Sequence, residues 1–227
     1  MHLFPVAFAT PLVVLFLSAL LVAAPAAAQN LVVNSDFATD ISSWAAGVGG
    51  TLTHDPALDV AGNPASGSGS AVNTAPFAFG SFAASQCIDG IAAGDSYDFG
   101  GAIYFDSAIQ SATGRANVVV NFWDGASCLG SIVGADTTTD VLATTTDTWV
   151  PVEVVGVVAP AGSQSVSVKL FVNKFDAAGQ IDANFDDVFF RPTPPPVVPA
   201  LSPLALALLT SAVAGASLWR CRSRRPA

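Results

Sequence analysis

Apolar and polar residues alternate along most of the central part of the chain. Four stretches are rich in β-branched and aromatic residues: SYDFGGAIYF (96–105), ANVVVNFW (116–123), WVPVEVVGVV (149–158) and SVSVKLFVNK (165–174). They follow a period of two or run continuously apolar, which is typical of β-strands. Clusters such as DGIAAGD, DGASC and APAGSQ separate them and indicate turns. Shorter stretches of the same kind occupy 30–33, 50–54, 69–73, 79–88, 128–133 and 181–190.

This pattern predicts an all-β domain. It gives roughly ten strands, a number that two packed sheets accommodate as a β-sandwich. Between the two ends of the chain, no stretch shows a 3.6-residue apolar period with helix caps. Segment 55–70, DPALDVAGNPASGSGS, is broken by Pro, Gly and Ser and is predicted to be a loop.

The first residues of the chain are apolar without alternation. The run extends from Leu3 to Ala23, and small residues follow, with Ala26 and Ala28 in the positions that signal peptidases favour. We therefore predict a signal peptide over 1–28 and a mature chain that begins at Gln29. An uncleaved N-terminal anchor is the alternative, because no Lys or Arg precedes the apolar run.

A second apolar run, 204–219, lies near the C-terminus and carries no charge. Its 16 residues are fewer than the roughly 20 that span a bilayer, but 198–203 can supply the missing length. The basic tail 220–227 follows directly and contains Arg220, Arg222, Arg224 and Arg225. Arginines at this position hold a tail in the cytoplasm. We predict a transmembrane helix over 204–219 that is preceded by a Pro-rich linker and motif at 192–203.

A short Pro-containing motif precedes this apolar run. It begins Val198, Pro199, Ala200, Leu201. With the helix and the arginines, it resembles the IPTL variety of C-terminal sorting signal in Gram-negative bacteria, a relative of the PEP-CTERM class. Val replaces Ile and Ala replaces Thr. The resemblance implies export through the inner membrane, an exosortase-like sorting protease as partner, and delivery to the cell surface or matrix. A plain membrane anchor is the alternative.

Charge narrows the possible partners of the region between the two ends. Residues 29–191 fit one domain that is long enough to bury a core. They hold all 17 acidic residues and only four of the chain's eight Lys and Arg, a net charge of −13. We expect no nucleic-acid partner, because phosphate recognition rests on basic side chains. Such an acidic surface suits solubility, calcium or neutral ligands such as glycans.

Two cysteines fall within this domain, Cys87 and Cys128, and a third, Cys221, belongs to the tail. An exported chain meets an oxidising compartment, where an even pair of cysteines is most simply a disulfide. The loop that the pair would close is about 40 residues long and would stabilise the fold by on the order of 4 kcal/mol. We predict a Cys87–Cys128 disulfide and a free Cys221.

Three segments of the domain carry a family resemblance. The domain opens NLVVNSDFATDISSW, with Asn34, Asp36, Phe37 and Trp44 in the order N-l-N-G-D-F-E…W. It continues through SQCIDGIAAGDSYDFGGAIYF and closes IDANFDDVFF. Together these are similar to the galactose-binding-like jelly rolls among carbohydrate-binding modules of the 4/9 and 22 type. The resemblance implies a jelly roll in which the opening and closing strands lie side by side.

That arrangement assigns several aromatic residues to the core. The expected core residues are Phe37, Trp44, Trp149, Phe185, Val188 and Phe190. Members of the family commonly hold a structural calcium ion where the two strands meet. The acidic positions that match are Asp36 and Asp186, with Asp187 beside them. The position after Phe37 is Ala38, where the pattern has Glu, so one expected ligand is missing.

Catalytic groups are few. The domain has one histidine, His54, and one glutamate, Glu153, and it lacks the G-x-S-x-G, H-E-x-x-H and phosphate-loop motifs. We therefore expect a protein that is not an enzyme. The sequence favours a surface-displayed module that binds extracellular polysaccharide or envelope glycan. A structural or adhesive envelope protein without sugar specificity is the alternative.

A glycan site of this kind would use exposed aromatic side chains. The candidates are Phe77, Phe79, Tyr104, Trp123 and Phe175, each of which could instead be core or plain strand surface. We prefer Trp123 because it follows Phe122 at a strand end. Neighbouring side chains of a strand point to opposite faces, so Phe122 can face the core while Trp123 faces outward.

Overall fold

A computed structural model describes residues 28–194. This part of the chain contains eleven strands and one short 3-10 helix, Ala126–Cys128. The strands are β1 (Ala45–Val48), β2 (Thr51–Asp55), β3 (Ser68–Asn73), β4 (Phe79–Asp89), β5 (Ser96–Tyr104), β6 (Gly114–Trp123), β7 (Ile132–Thr137), β8 (Val141–Leu142), β9 (Val150–Val158), β10 (Ser165–Lys174) and β11 (Ile181–Pro192). The predicted all-β class is confirmed.

The strands form two sheets. Sheet A has the order β1-β4-β10-β6-β7, with the two-residue β8 also paired to β6, and sheet B has the order β2-β3-β11-β5-β9. Each of these strand pairs is antiparallel. The sheets face each other as a sandwich, which agrees with the jelly roll that the sequence predicts. Most neighbours in each sheet are distant in sequence, so the fold depends on long-range pairing.

The core lies between the two sheets and follows from the two-residue period. On β10, the side chains of Val166, Val168, Leu170 and Val172 alternate with side chains that face outward, and all four are fully buried. Sheet B contributes fully buried aromatic rings from β5 and β11. Five of the six predicted core residues are buried, namely Phe37, Trp44, Phe185, Val188 and Phe190. Trp149, the sixth, is only half-buried at the edge of sheet B, where its ring lies 5.4 Å from that of Tyr104.

The opening segment runs beside the closing strand, as the resemblance implied, but residues 30–33 do not form a strand. The backbone N–H of Leu31 donates to the Phe190 carbonyl at 2.8 Å. The Asn30 side chain bonds on to β11, donating to the Val188 carbonyl at 3.0 Å and accepting from the Phe190 N–H at 3.0 Å. Positive φ angles at Asn34 (50°) and Phe37 (45°) then end any extended course.

Two further differences concern where strands begin and which strands exist. The strand predicted over 128–133 begins only at Ile132, because Ser127 and Cys128 have positive φ angles of 56° and 55° in the 3-10 helix. Strands β1 and β8 were not predicted. They have four and two residues, too few for an alternating pattern to appear.

Both predicted export segments fall outside the described residues. The signal peptide over 1–28 lies outside them except for Ala28, and so do the motif at 198–201, the helix at 204–219 and the four arginines of the tail. Within residues 28–194, no helix has the length and apolar character needed to cross a bilayer.

Candidate functional site

The outward side of sheet A carries an unusual mixture of aromatic and polar side chains. In the strand register, Lys169 of β10 lies between Ser85 and Val119. One row away, Phe171 lies between Phe82 and Asn117. The residues of this surface, which we call the sheet A face, are Phe82, Ser85, Cys87, Arg115, Asn117, Val119, Asn121, Trp123, Ser167, Lys169 and Phe171. Their inward neighbours form the core, so the alternation that builds the sandwich also builds this face.

A shallow groove of about 410 Å³ runs over the sheet A face. Its lining comes from β6, β7 and β10 and consists of Arg115, Asn117, Val119, Ala135, Asp136, Thr137 and Phe171. A volume of a few hundred Å³, with mainly apolar walls and a few polar groups, is usual for sites that bind small ligands or single units of a polymer.

Trp123 stands near one end of this face. Phe122 is buried in the core and Trp123 is half-buried on the outer side, so the predicted orientation of the pair is confirmed. The indole Nε1 donates to the Ser167 hydroxyl oxygen at 3.1 Å, which fixes the ring on the sheet. Because Ser167 accepts this bond, its own hydroxyl proton can be donated elsewhere.

The disulfide lies at the same end of the face. Cys87 and Cys128 are bonded, with their Cα atoms 5.9 Å apart, so the predicted disulfide is present. Cys87 projects outward from β4, and Cys128 belongs to the 3-10 helix that follows Trp123. The Cys128 N–H also donates to the Ser165 hydroxyl at 3.0 Å. The disulfide thus ties the turn after Trp123 to the neighbouring strands.

Two cations lie on the sheet A face in different surroundings. Arg115 forms an ion pair with Asp140, and its guanidinium carbon lies 5.9 Å from the centre of the Phe175 ring. The Lys169 ammonium lies 4.8 Å from the centre of the Phe82 ring and 6.0 Å from the Trp123 ring. Burial lowers the pKa of Lys169 from its usual value, because the charged form loses water.

Asn117 has an unsatisfied polar atom beneath the groove. Its side chain is 7% exposed and donates through Nδ2 to Asp140 at 2.6 Å. Its carbonyl oxygen Oδ1 is buried and receives no hydrogen bond from the described residues. A buried acceptor without a donor typically costs about 1–3 kcal/mol. A hydroxyl group bound in the groove could satisfy it after a small rotation of the amide.

The structure does not gather the five predicted aromatic residues at one place. Trp123 lies on the sheet A face and Phe175, 48% exposed, lies at its rim beside Arg115. Phe77 and Phe79 pack edge to face, with ring centres 5.3 Å apart, before and at the start of β4. Tyr104 lies at the end of β5 in sheet B and packs on Trp149. Trp123 and Phe175 share the sheet A face but lie at opposite ends of β10, so the structure does not bring these two together either.

Three functional candidates of the sheet A face were missed from the sequence: Phe82, Lys169 and Phe171. Phe171 lies in SVSVKLFVNK two residues after Lys169, so the two side chains lie on the same face of β10. The alternation along this strand could therefore have placed both outward. The signal that joins them to Trp123 is the register between β10 and β6, which a single sequence does not contain.

The predicted calcium ligands lie at the junction of the opening segment and β11. Asp186 is fully buried, and its two carboxylate oxygens accept the N–H groups of Val60 and Asp187 at 2.9 and 2.8 Å. Burial raises the pKa of Asp186 to about 6, and the charges of Asp187 and Asp59 add to the rise. Burial and the charge of Asp36 also raise the pKa of Asp187.

These carboxylates fit a calcium ion only in part. Their mutual repulsion favours a cation nearby, but within residues 28–194 no three His, Cys, Asp or Glu side chains come together closely enough to hold a metal. Calcium needs about six to eight oxygen ligands, so backbone carbonyls or water would have to supply the rest. A calcium ion held by Asp36, Asp186 and Asp187 stays a prediction.

A second groove, of about 450 Å³, lies next to Asp187 on the sheet B side. Its polar side chains are mostly engaged within the protein. Asn30 uses both ends of its amide on backbone groups, and Arg191 pairs with Glu153 at 3.1 Å. Arg191 Nε is nevertheless buried without a hydrogen-bond partner among the described residues, as Asn117 Oδ1 is on the sheet A face.

Comparisons with known proteins give matches only at the level of structure. No protein-family model matches the sequence, and no curated protein matches it significantly. Among solved structures, the CBM22-1 xylan-binding domain from Paenibacillus barcinonensis Xyn10C is similar with a TM-score of 0.53 and 16% identity, over 76% of this chain and 99% of that domain. The C-terminal family 22 carbohydrate-binding module of Clostridium thermocellum Xyn10B gives 0.51 and 16%, over 70% and 91%.

Other similar structures are parts of larger proteins. The arabinose-bound α-L-arabinofuranosidase MgGH51 has a TM-score of 0.53 and 16% identity, over 72% of this chain but only 26% of the enzyme. The chain likewise spans 21% of the enzymatically active domain of tailspike protein 4 from bacteriophage CBA120. At these identities the likeness shows a shared β-sandwich fold and no more. A shared fold does not determine which ligand a protein binds.

Proposed function

We propose that the domain is a non-catalytic module that binds extracellular polysaccharide on the sheet A face. The observation that carries the proposal is the sheet A face, where the groove beside Phe171 and Asn117 shares one outward surface with the ring of Trp123. Sugar rings have an apolar face that packs on aromatic side chains and hydroxyl groups that need hydrogen-bond partners. Trp123 and Phe171 supply the rings, and Asn117 and Ser167 supply an acceptor and a donor.

The structural neighbours support this proposal. Two of the structures of similar fold are described as carbohydrate-binding modules, and in both cases the similarity covers at least 91% of the module. The match is therefore to whole binding modules and to a minor part of the larger enzymes. The xylan of the first neighbour is a property of that protein, and the glycan of this chain has to be found by experiment.

We further propose that the module is exported and held at the surface of a Gram-negative cell. The support lies in the sequence at the two ends: the apolar leader, the motif at 198–201 and the four arginines after the apolar run. Replacing Arg220, Arg222, Arg224 and Arg225 with Gln should release or misplace the protein, as cell fractionation would show. Unchanged surface display in that variant would contradict the sorting signal.

Binding to immobilised polysaccharides tests the proposed site. A panel of xylan, galactan, arabinan and cellulose should retain the protein, and Trp123→Ala should weaken retention. If a sugar covers about 60 Å² of the ring, its loss costs about 1.5 kcal/mol, roughly tenfold in Kd. Phe171→Ala should have an effect of similar size, because Phe171 lines the groove.

Matched controls come from the predicted aromatics that lie elsewhere. Phe77→Ala removes a ring that is 53% exposed and packs on Phe79, away from the groove, and should leave binding unchanged. Thermal melts of all three variants separate lost binding from lost folding. Equal weakening by Phe77→Ala would contradict the site. Retention of no polysaccharide would favour the alternative of a structural or adhesive envelope protein.

A further inference from the structure

Lys169 occupies the middle of the sheet A face. It lies on the central strand β10, opposite Ser85 of β4 on one side and Val119 of β6 on the other. The rings of Phe82 and Trp123 flank its ammonium group at 4.8 and 6.0 Å. The side chain is half-buried, and its neighbours on the same face of β10 are Ser167 and Phe171. A ligand stacked on the Trp123 ring would therefore lie next to this charge.

The ammonium group has no anionic partner. The ion pairs of residues 28–194 are Arg115 with Asp140 and Arg191 with Glu153, and Lys169 takes part in neither. An aromatic ring attracts a cation by about 0.5–2 kcal/mol, which offsets only part of the loss of water on burial. The lowered pKa of Lys169 has the same cause. This site therefore keeps an uncompensated positive charge at its centre.

The rest of the domain makes this charge exceptional. Its net charge is −13, and it has only four Lys and Arg side chains. Arg115 and Arg191 are paired with carboxylates, and Lys174 is buried, where it donates to the backbone carbonyls of Ala75 and Gly179. Among the described residues, Lys169 is thus the one Lys or Arg side chain that forms neither an ion pair nor a hydrogen bond within the protein.

We infer that the sheet A face binds an acidic polysaccharide, and that the carboxylate of a uronic acid unit lies at Lys169, beside the Phe82 and Trp123 rings. This inference rests on the proposed function and names its substrate class. The free hydroxyl proton of Ser167, beside Trp123, can donate to the same carboxylate or to a neighbouring hydroxyl. The overall charge of the domain suggests neutral ligands, but the charge between these two rings is positive.

Long-range repulsion from the acidic surface does not prevent such binding. At physiological ionic strength, charges farther apart than about 8 Å are largely screened. On this face, Asp140 is paired with Arg115, and Asp136 lines the groove from β7, which β6 separates from the strand of Lys169. The charge next to the Phe82 and Trp123 rings is that of Lys169.

The test compares polymers that differ only in charge. Full-length protein, purified in mild detergent, is titrated by calorimetry with sodium polygalacturonate and sodium alginate, and with the carboxyl-reduced form of each. We expect one of the acidic polymers to bind at least tenfold more tightly than its reduced form. Lys169→Gln should abolish this preference, and Lys169→Arg should retain it. Arg191→Gln removes a charge that also lies over a ring, Phe189 at 4.4 Å, on the other sheet, and should change nothing.

The outcomes separate the inference from the proposed function. Equal binding to the acidic and reduced forms, or binding to neutral xylan and galactan alone, overturns the inference and leaves the polysaccharide module in place. Retention of the charge preference in Lys169→Gln overturns the role of Lys169. Failure to bind any polymer, acidic or neutral, by folded protein overturns both.

Discussion

Lowering the pH from 7 to 4.5 in the presence of EDTA should stabilise the domain, and Asp186 is the reason. This carboxylate is fully buried at the start of the bulge in β11, where its pKa is raised to about 6. An unfolded aspartate titrates near 3.8. Between these two values the folded state binds more protons than the unfolded state. The stabilisation that comes from protonated Asp186 is therefore present in full below pH 3.8 and is lost as the pH rises through 6.

The size of the effect follows from the two pKa values. Lowering the pH to 4.5 covers about 1.5 of the roughly two units between the two pKa values, which corresponds to about 2 kcal/mol, because each unit is 1.36 kcal/mol. Solvent near the loops around the carboxylate screens its charge, so we expect about half of this, about 1 kcal/mol. For a domain of this size, that is a rise in Tm of about 2–4 °C. Asp182 and Asp187, whose pKa values burial also raises, add in the same direction.

Other carboxylates do not obscure this window. Asp40, Asp59, Asp147 and Asp176 have lowered pKa values because they accept hydrogen bonds, so their contribution is lost only below pH 3.8. Thermal melts at half-unit steps from pH 7 to 4.5 measure the slope. Asp186→Asn should flatten it, while Asp147→Asn, at an exposed residue, should not. A Tm that is constant or falls as the pH falls, or an unchanged slope in Asp186→Asn, would refute the reasoning.

Three more predictions concern stability. Replacing Cys87 and Cys128 together by Ser should cost about 4 kcal/mol in urea unfolding, because the bond closes a loop of 41 residues, and an unchanged midpoint would contradict this. If Asp36 and Asp186 share a calcium ion, EDTA should lower the Tm at pH 7 and added calcium should restore it by mass action; a melt insensitive to EDTA would leave no role for the ion. Lys174→Met should cost about 2–4 kcal/mol, because the carbonyls of Ala75 and Gly179 lose the donor that the buried Lys174 supplies. Lys169→Met on the sheet A face should cost less than about 1 kcal/mol, and equal losses would argue against this difference.

Long strands were predicted well because their environment is uniform along their length. The prediction for β10, 165–174, agrees with the structure at both ends, since one of its faces is core throughout. The prediction failed where side chains replace backbone pairing. At 30–33, the amide of Asn30 provides the bonds that a strand partner would have provided. Backbone N–H and C=O groups need hydrogen-bond partners, and either a neighbouring strand or a side chain can supply them. An apolar sequence pattern does not distinguish these two cases.

The candidate site was predicted only in part for a related reason. Strand parity placed Trp123 outward correctly, because parity is local. Parity also places Lys169 outward, but nothing in the sequence says that β10 lies next to β6. That neighbourhood is set by the pairing of Ser165 with Trp123 and of Lys169 with Val119, more than 40 positions apart. The predicted site therefore contained aromatic residues from separate regions, and the cation at its centre was missed.

Both sheets of the sandwich hold polar atoms that the described residues leave unsatisfied, and sheet A is favoured as the binding side by the unpaired Lys169 ammonium beside its aromatic rings. On sheet B, Asp182 accepts from the Ser70 hydroxyl at 2.8 Å, and the Asn184 amide donates to Asp55 at 3.1 Å and to Ser68 at 2.9 Å. These groups satisfy one another and stabilise the fold, although His54 Nε2 of β2 and Arg191 Nε of β11 are buried without a hydrogen-bond partner among the described residues. On sheet A, the Asn117 carbonyl and the Lys169 ammonium have no such partners. A protein tolerates unsatisfied polar groups at a cost in stability, and that cost is recovered only when a ligand supplies the missing contacts.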